Sequence, residues 1–196
     1  MKLKLLVLIA LLLPLGAAAQ FEAGLRNSRF VNVSYTLRDH FSFRLEHSVY
    51  AEKFGFQEVG LSAAYRNEWR DLGYGVRVSG STSWNGDYQI AGLKAHLSYS
   101  FFRRLLVFGC VNPLYDTDYK YKTCFAAGAS CNIVKGIDVL ASYTTVPDFR
   151  KSENRVHAGF MLRSGQLYAR PVISVPVTGN TRFKSLRVLA SLGWTF

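Results

Sequence analysis

The chain has 196 residues, with 24 Lys and Arg against 13 Asp and Glu and a formal charge of +11. That length supplies one domain rather than two, and three cysteines exclude a disulfide-dense scaffold, since an odd number closes at most one pair. The basic balance raises nucleic acid as a partner, a reading that the first twenty residues set aside.

Lys2 and Lys4 precede an apolar run over 5–15, which leads into Ala17-Ala18-Ala19 before Gln20. A charged start, a short apolar centre and a small-residue exit make a secretory signal peptide over 1–19. The run is too short for a retained membrane helix, and no Cys follows the cut to carry a lipid anchor. Residues 20–196 are then one exported domain. Export removes nucleic acid from the expected partners. The positive excess, reduced by two when Lys2 and Lys4 leave, suits anionic lipid headgroups or anionic solutes.

No apolar run in 20–196 approaches eighteen residues, so this segment can cross a membrane only as a closed barrel. Its 11 Tyr, 14 Phe and 16 Gly, with many Val, Ser and Thr, favour strands and tight turns. Period-two alternation recurs to the last residue. In chain order the segments are 21–26, 29–37, 41–50, 56–66, 72–83, 89–101, 104–112, 119–133, 137–146, 155–163, 167–175 and 184–196. The first is short, with a turn at Asn27-Ser28. In the fourth, Val59, Leu61, Ala63 and Tyr65 share one face, and Glu58, Gly60, Ser62 and Arg66 the other. The segment 104–112 departs from the rule, because Leu105, Leu106, Val107 and Phe108 are apolar on both faces. In 167–175, Pro171 cannot donate to a ladder.

A ring of this many strands has a bore too wide for single apolar side chains to plug, which turns the apolar face outward and the polar face inward. Short links at Arg38-Asp39-His40, 67–71, Phe102-Arg103, Val134-Lys135-Gly136 and Ser164-Gly165-Gln166 are assigned to the periplasmic side. The links 51–55, 85–87, 112–118, 147–154 and 176–183 are assigned to the outside. The expected fold is an all-β, closed antiparallel transmembrane β-barrel of 12 strands, since both ends on one side require an even number; 10 is the alternative.

The last strand alternates Leu186, Val188, Ala190, Leu192, Trp194 and Phe196 with Ser185, Arg187, Ser191, Gly193 and Thr195. A terminal Phe closing such a strand is similar to the assembly signal of Gram-negative outer-membrane barrels. With the signal peptide and the strand pattern, 20–196 resembles the small outer-membrane β-barrel proteins as an architecture. The resemblance implies location in a Gram-negative-type outer membrane. It also implies outer-membrane lipid and the barrel-assembly machinery as partners, with Trp194 and Phe196 as the assembly signal. Tyr65, Trp69, Trp84, Tyr88, Phe101, Phe102, Tyr115 and Tyr119 lie at strand ends, where interface belts collect aromatic residues.

No chemistry of bond-making stands out. His40, His47, His96 and His157 are scattered without metal spacing, so no metal or other cofactor is expected. Ser48 adjoins His47, but neighbours on a strand point to opposite faces and cannot share a proton. Asp116 and Asp118 read as a solvated turn. The inward set Arg44, Arg77, Lys94, Lys120, Lys122, Arg170 and Arg187, countered mainly by Glu46 and Glu58, would bias an open lumen toward anions; the same side chains could instead fill it. Cys110 and Cys124 lie equally far from Thr117 on the inward face, so antiparallel pairing could set them side by side and make a cross-strand disulfide possible in that register, with Cys131 facing lipid. The functional expectation is a non-enzymatic, porin-like diffusion channel for small solutes if the lumen is open, or a structural or surface-interaction barrel. The alternatives are an outer-membrane enzyme acting on lipid or surface glycan, and a secreted soluble ligand-binding β-barrel.

Overall fold

A computed structural model describes residues 19–27, 30–48, 58–84, 86, 88–117, 120–148, 151–178 and 186–195, with backbone alone for Ala19, 146–148, 151–153 and Thr178. Residues 1–18, Tyr119 and the terminal Phe196 lie outside the described residues.

The alternating segments form twelve strands: β1 (Ala19–Arg26), β2 (Phe30–Leu37), β3 (Phe41–Ser48), β4 (Glu58–Trp69), β5 (Leu72–Ser83), β6 (Gln89–Phe101), β7 (Leu105–Asp116), β8 (Lys120–Val134), β9 (Ile137–Asp148), β10 (Lys151–Ser164), β11 (Leu167–Thr178) and β12 (Arg187–Thr195). Each pairs antiparallel with its chain neighbours, and β1 pairs with β12 to close the barrel. The alternative of ten strands is excluded. Two expected outer links are strand instead. Residues 112–116 continue β7, with Pro113 opposite Thr123 and Asp116 opposite Lys120, and β9 and β10 run on to pair Asp148 with Lys151.

Two of the strand prolines, Pro113 and Pro171, are accommodated by dropped ladder positions. The β6–β7 pairing passes from Gly92 opposite Leu114 to Ala95 opposite Val111, skipping Pro113. The β10–β11 pairing passes from Gly159 opposite Val172 to Leu162 opposite Ala169, skipping Pro171. In each case the ladder is interrupted on the side toward which the missing N–H would have pointed.

The faces are the reverse of those of a soluble barrel. Val33, Phe43, Leu61, Val78, Leu93, Leu97, Phe125, Phe160, Ile173 and Leu192 are exposed, whereas Asn32, Ser34, Glu58, Asp116, Arg155, Ser174 and Ser191 are buried. Apolar side chains over the whole outer wall need hydrocarbon around them, which removes the soluble ligand-binding alternative. Phe41 packs on Tyr65 with centroids 5.1 Å apart, Tyr99 on Phe101 at 4.7 Å, and the Arg70 guanidinium lies 5.3 Å above Trp69. These residues form an aromatic rim on the short-link side. Tyr88 does not join a rim: it is buried, and its carbonyl accepts from Ser83 N.

The exterior reading carries a stability prediction. Val78 stands midway along β5 on the outer face and is 60% exposed. Val78→Arg is expected to cost about 2–4 kcal/mol in urea unfolding from lipid. Thr36→Arg, on an inward position of β2, is expected to cost well under half of that.

The closing seam between β1 and β12 has four registered pairs, from Glu22 opposite Thr195 to Leu25 opposite Leu192. Two side-chain contacts reinforce it. Asn27 N donates to Ser191 Oγ at 3.0 Å, and Tyr168 of β11 reaches across β12 to donate its hydroxyl to Glu22 Oε1 at 2.9 Å. That reach needs Gly193, because any Cβ there would stand inside the Tyr168 ring. The same device recurs on the inner wall, where His96 covers its cross-strand partner Gly75 and Phe108 covers Gly128.

Candidate functional site

Strand parity brings Arg44, Arg77, Lys94, Lys120, Lys122, Arg170 and Arg187 to the inward face, since each shares a register row with inward residues of the adjoining strands. They do not form one ring. Lys120 and Arg187 are exposed toward the long-link end of the barrel, and Lys122 pairs with Asp116 at 3.3 Å. Parity also turns Arg26, Arg155 and Arg163 inward, which the sequence reading left out. The signal was present in the sequence: Arg155 shares parity with Gly159 and His157 on one alternating strand.

On the β1–β6 side, Glu46 holds two arginines. Arg26 grips both of its oxygens, with Nε donating to Oε1 at 2.8 Å. Arg44 Nη1 stands 3.6 Å from Glu46 Oε1, and its Nη2 4.0 Å from Glu22 Oε1. Beyond this network Arg77 lies directly opposite Lys94 in the β5–β6 register. Like charges in that position repel, and among the described residues neither side chain has a carboxylate partner. Arg26, Glu46, Glu58, Arg77, Lys94 and Asn112 line a cavity of about 290 Å³ opening into the bore.

The second cationic group lies on β10 and β11. The Arg155 guanidinium is buried and donates to Ser174 Oγ at 2.6 Å and Ser174 O at 2.9 Å. His157 Nε2 and Thr144 Oγ1 share a hydrogen bond of 2.8 Å. Arg170 faces Ser191, and its buried Nε lacks a partner. The carboxylate at the short-link end of this wall, Asp138, is taken up by Asn132 Nδ2 at 2.7 Å and Arg163 Nη1 at 2.5 Å. In a ring of twelve, β5 and β11 are half a circumference apart, so Arg77 and Arg170 stand on opposite walls.

The disulfide expectation is corrected. The β7–β8 register centres its hairpin on position 118 rather than 117, setting Cys110 opposite Ala126 and Cys124 opposite Asn112. The two thiols are diagonal on the inner face and free, outside the close Cβ approach that a bridge requires. Cys131 is exposed on the outer face. His47 and Ser48 take opposite faces: His47 accepts from Trp84 Nε1 at 3.1 Å, while Ser48 Oγ, buried, accepts from Glu58 N at 2.7 Å. Asp116 is no solvated turn residue but the buried partner of Lys122. Among the described residues no group of His, Cys, Asp and Glu could hold a metal ion. Trp194 is the next-to-last residue of β12, its indole donating to Gln166 Oε1 at 3.0 Å.

A closed antiparallel ring of twelve strands, apolar outside and charged within, is the fold of an outer-membrane β-barrel. Solved structures of this class are similar to the chain over nearly its whole length. The KdgM porin in complex with disordered oligogalacturonate matches with a TM-score of 0.68 at 7% identity, over 91% of this chain and 98% of that one. The NanC porin matches at 0.56 and 11%, over 91% and 99%. The Acinetobacter baumannii outer membrane protein Omp33 matches at 0.54 and 7%, over 91% and 96%. At these identities the likeness is one of fold. No protein-family model and no curated protein matches the chain.

Proposed function

We propose that the protein is a non-enzymatic outer-membrane channel through which small anionic solutes diffuse. The observation that carries this reading is the direct opposition of Arg77 and Lys94, neither of which forms an ion pair with a carboxylate among the described residues. Two cations placed so are at odds with stability, and a mobile anion between them relieves the repulsion. Arg170 on the far wall extends the same field across the bore, where low-dielectric walls raise the local anion concentration. KdgM, whose structure was solved with oligogalacturonate, a polyanion, supplies a precedent for this use of the fold.

The test is conductance in planar bilayers. Under a potassium chloride gradient the reversal potential is expected to show chloride more permeant than potassium. An absence of conductance would favour the structural-barrel reading, for which the buried inward side chains of Leu140, Val172 and Arg155 speak. Cation preference would overturn the anion assignment.

A further inference from the structure

The inner wall is not polar all round. On β7 the inward positions from 106 to 114 are Leu106, Phe108, Cys110, Asn112 and Leu114. The inward positions 124–130 of β8 and 140–144 of β9 likewise carry no charged side chain. This neutral strip is bounded on the long-link side by the Asp116–Lys122 pair and on the short-link side by the Asp138–Arg163 pair. Its width explains why 105–108 is apolar on both faces: one face meets lipid and the other meets the bore.

Water reaches the strip. Leu106 faces inward and is still 37% exposed, and Phe108 and Leu114 are partly exposed. A Cβ on Gly128 would meet Phe108 Cζ at 2.7 Å, so the ring lies against the β8 wall and leaves its other face to the bore. The strip adjoins the cations directly. Lys94 stands on β6, the strand next to β7, and the cavity that holds Arg77 and Lys94 is completed by Ile90 and Asn112.

We infer that the channel sorts anions by the apolar surface they carry, favouring monocarboxylates with a hydrocarbon ring over equally charged, hydroxylated acids. This rests on the anion-channel reading. The carboxylate meets Arg77 and Lys94 while the ring covers Leu114, which lies over Gly92 two residues from Lys94, removing apolar surface from water on both partners; Phe108, six residues along β7 and about 20 Å away, offers a second such surface farther along the path. A hydroxylated ring would instead set hydroxyls against the Leu114 side chain, which offers them no hydrogen-bond partner.

Cyclohexanecarboxylate and quinate share a ring and a charge and differ in hydroxyl groups. With their potassium salts on the two sides of a bilayer holding the full-length wild-type channel, the reversal potential gives their permeability ratio directly. The ratio is expected to favour cyclohexanecarboxylate by about threefold beyond the ratio of free mobilities, as partial cover of one ring face implies. Phe108→Ser, and separately Leu114→Ser, are expected to bring it back toward the mobility ratio while chloride remains preferred over potassium. A wild-type ratio at or below the mobility ratio, with anion preference intact, overturns this inference and leaves the channel reading standing. Loss of anion preference in the wild type overturns both.

Discussion

Replacing Arg77 and Lys94 together by glutamate is expected to reverse the ion preference of the pore, turning the reversal potential in a potassium chloride gradient from chloride-dominated to potassium-dominated. The two side chains are cross-strand partners and share a cavity with Glu46 and Glu58. Two carboxylates in their place would leave Arg26 and Arg44 already engaged by Glu46 and unable to offset the new charge. Local counter-ion concentration in a focused cleft changes by about tenfold or more with such a change of sign, so chloride conductance is expected to fall by about tenfold. Lys120→Glu at the exposed mouth is the contrast: salt screens it, and a small shift without reversal is expected. An unchanged preference in the double variant would remove Arg77 and Lys94 from the solute path.

A stability effect as large as that of Val78→Arg is expected at the closing seam. Gly193→Val places a branched side chain where the Tyr168 ring lies. The ring must leave, taking with it the hydrogen bond to Glu22 that ties β11 to β1 across β12. Overpacking costs about 1–3 kcal/mol and a hydrogen bond to a charged group about 1.5–3 kcal/mol, so a loss of about 3 kcal/mol is expected. Its readout is a lower urea midpoint in detergent and a smaller fraction of the compact band on unboiled gels. Tyr168→Phe removes the hydroxyl alone and is expected to cost about half as much. Equal losses in the two variants would show that the ring's place over Gly193 is unimportant.

The ring of twelve was legible because most strands carry one apolar and one polar face, and such a pattern fixes both register and orientation. Strand ends were less so. Asn112-Pro113 has the composition of a turn, yet β7 continues through it, because the loss of one donor interrupts pairing to β6 alone and leaves β8 in register. The cysteine pairing failed for a related reason. Two candidate hairpin centres one residue apart, at 117 and 118, preserve the face of both thiols and change which residues meet. Parity carried the inward placement of the basic residues, but no pattern in one chain states which cations find carboxylates. Glu46 serves Arg26 across from β1 and Arg44 two residues back on its own strand, and that apportioning leaves Arg77 and Lys94 without an ion pair among the described residues. The clasp of Tyr168 over Gly193 was equally hidden, since a lone Gly in a strand reads as a weakness until its neighbour is known.

The dropped ladder position at Pro113 has a consequence for how β7 keeps its place. A strand that is greasy on both sides gains little from alternation, so sliding it against its neighbours would bury about as much hydrocarbon as before. A residue without an amide hydrogen breaks that indifference: Pro113 lies three residues from the end of β7, and an alignment that carried it deeper would strand an acceptor of β6 in hydrocarbon, where the vacancy costs most. The proline thus acts as an indexing notch, set in the strand whose side chains discriminate least.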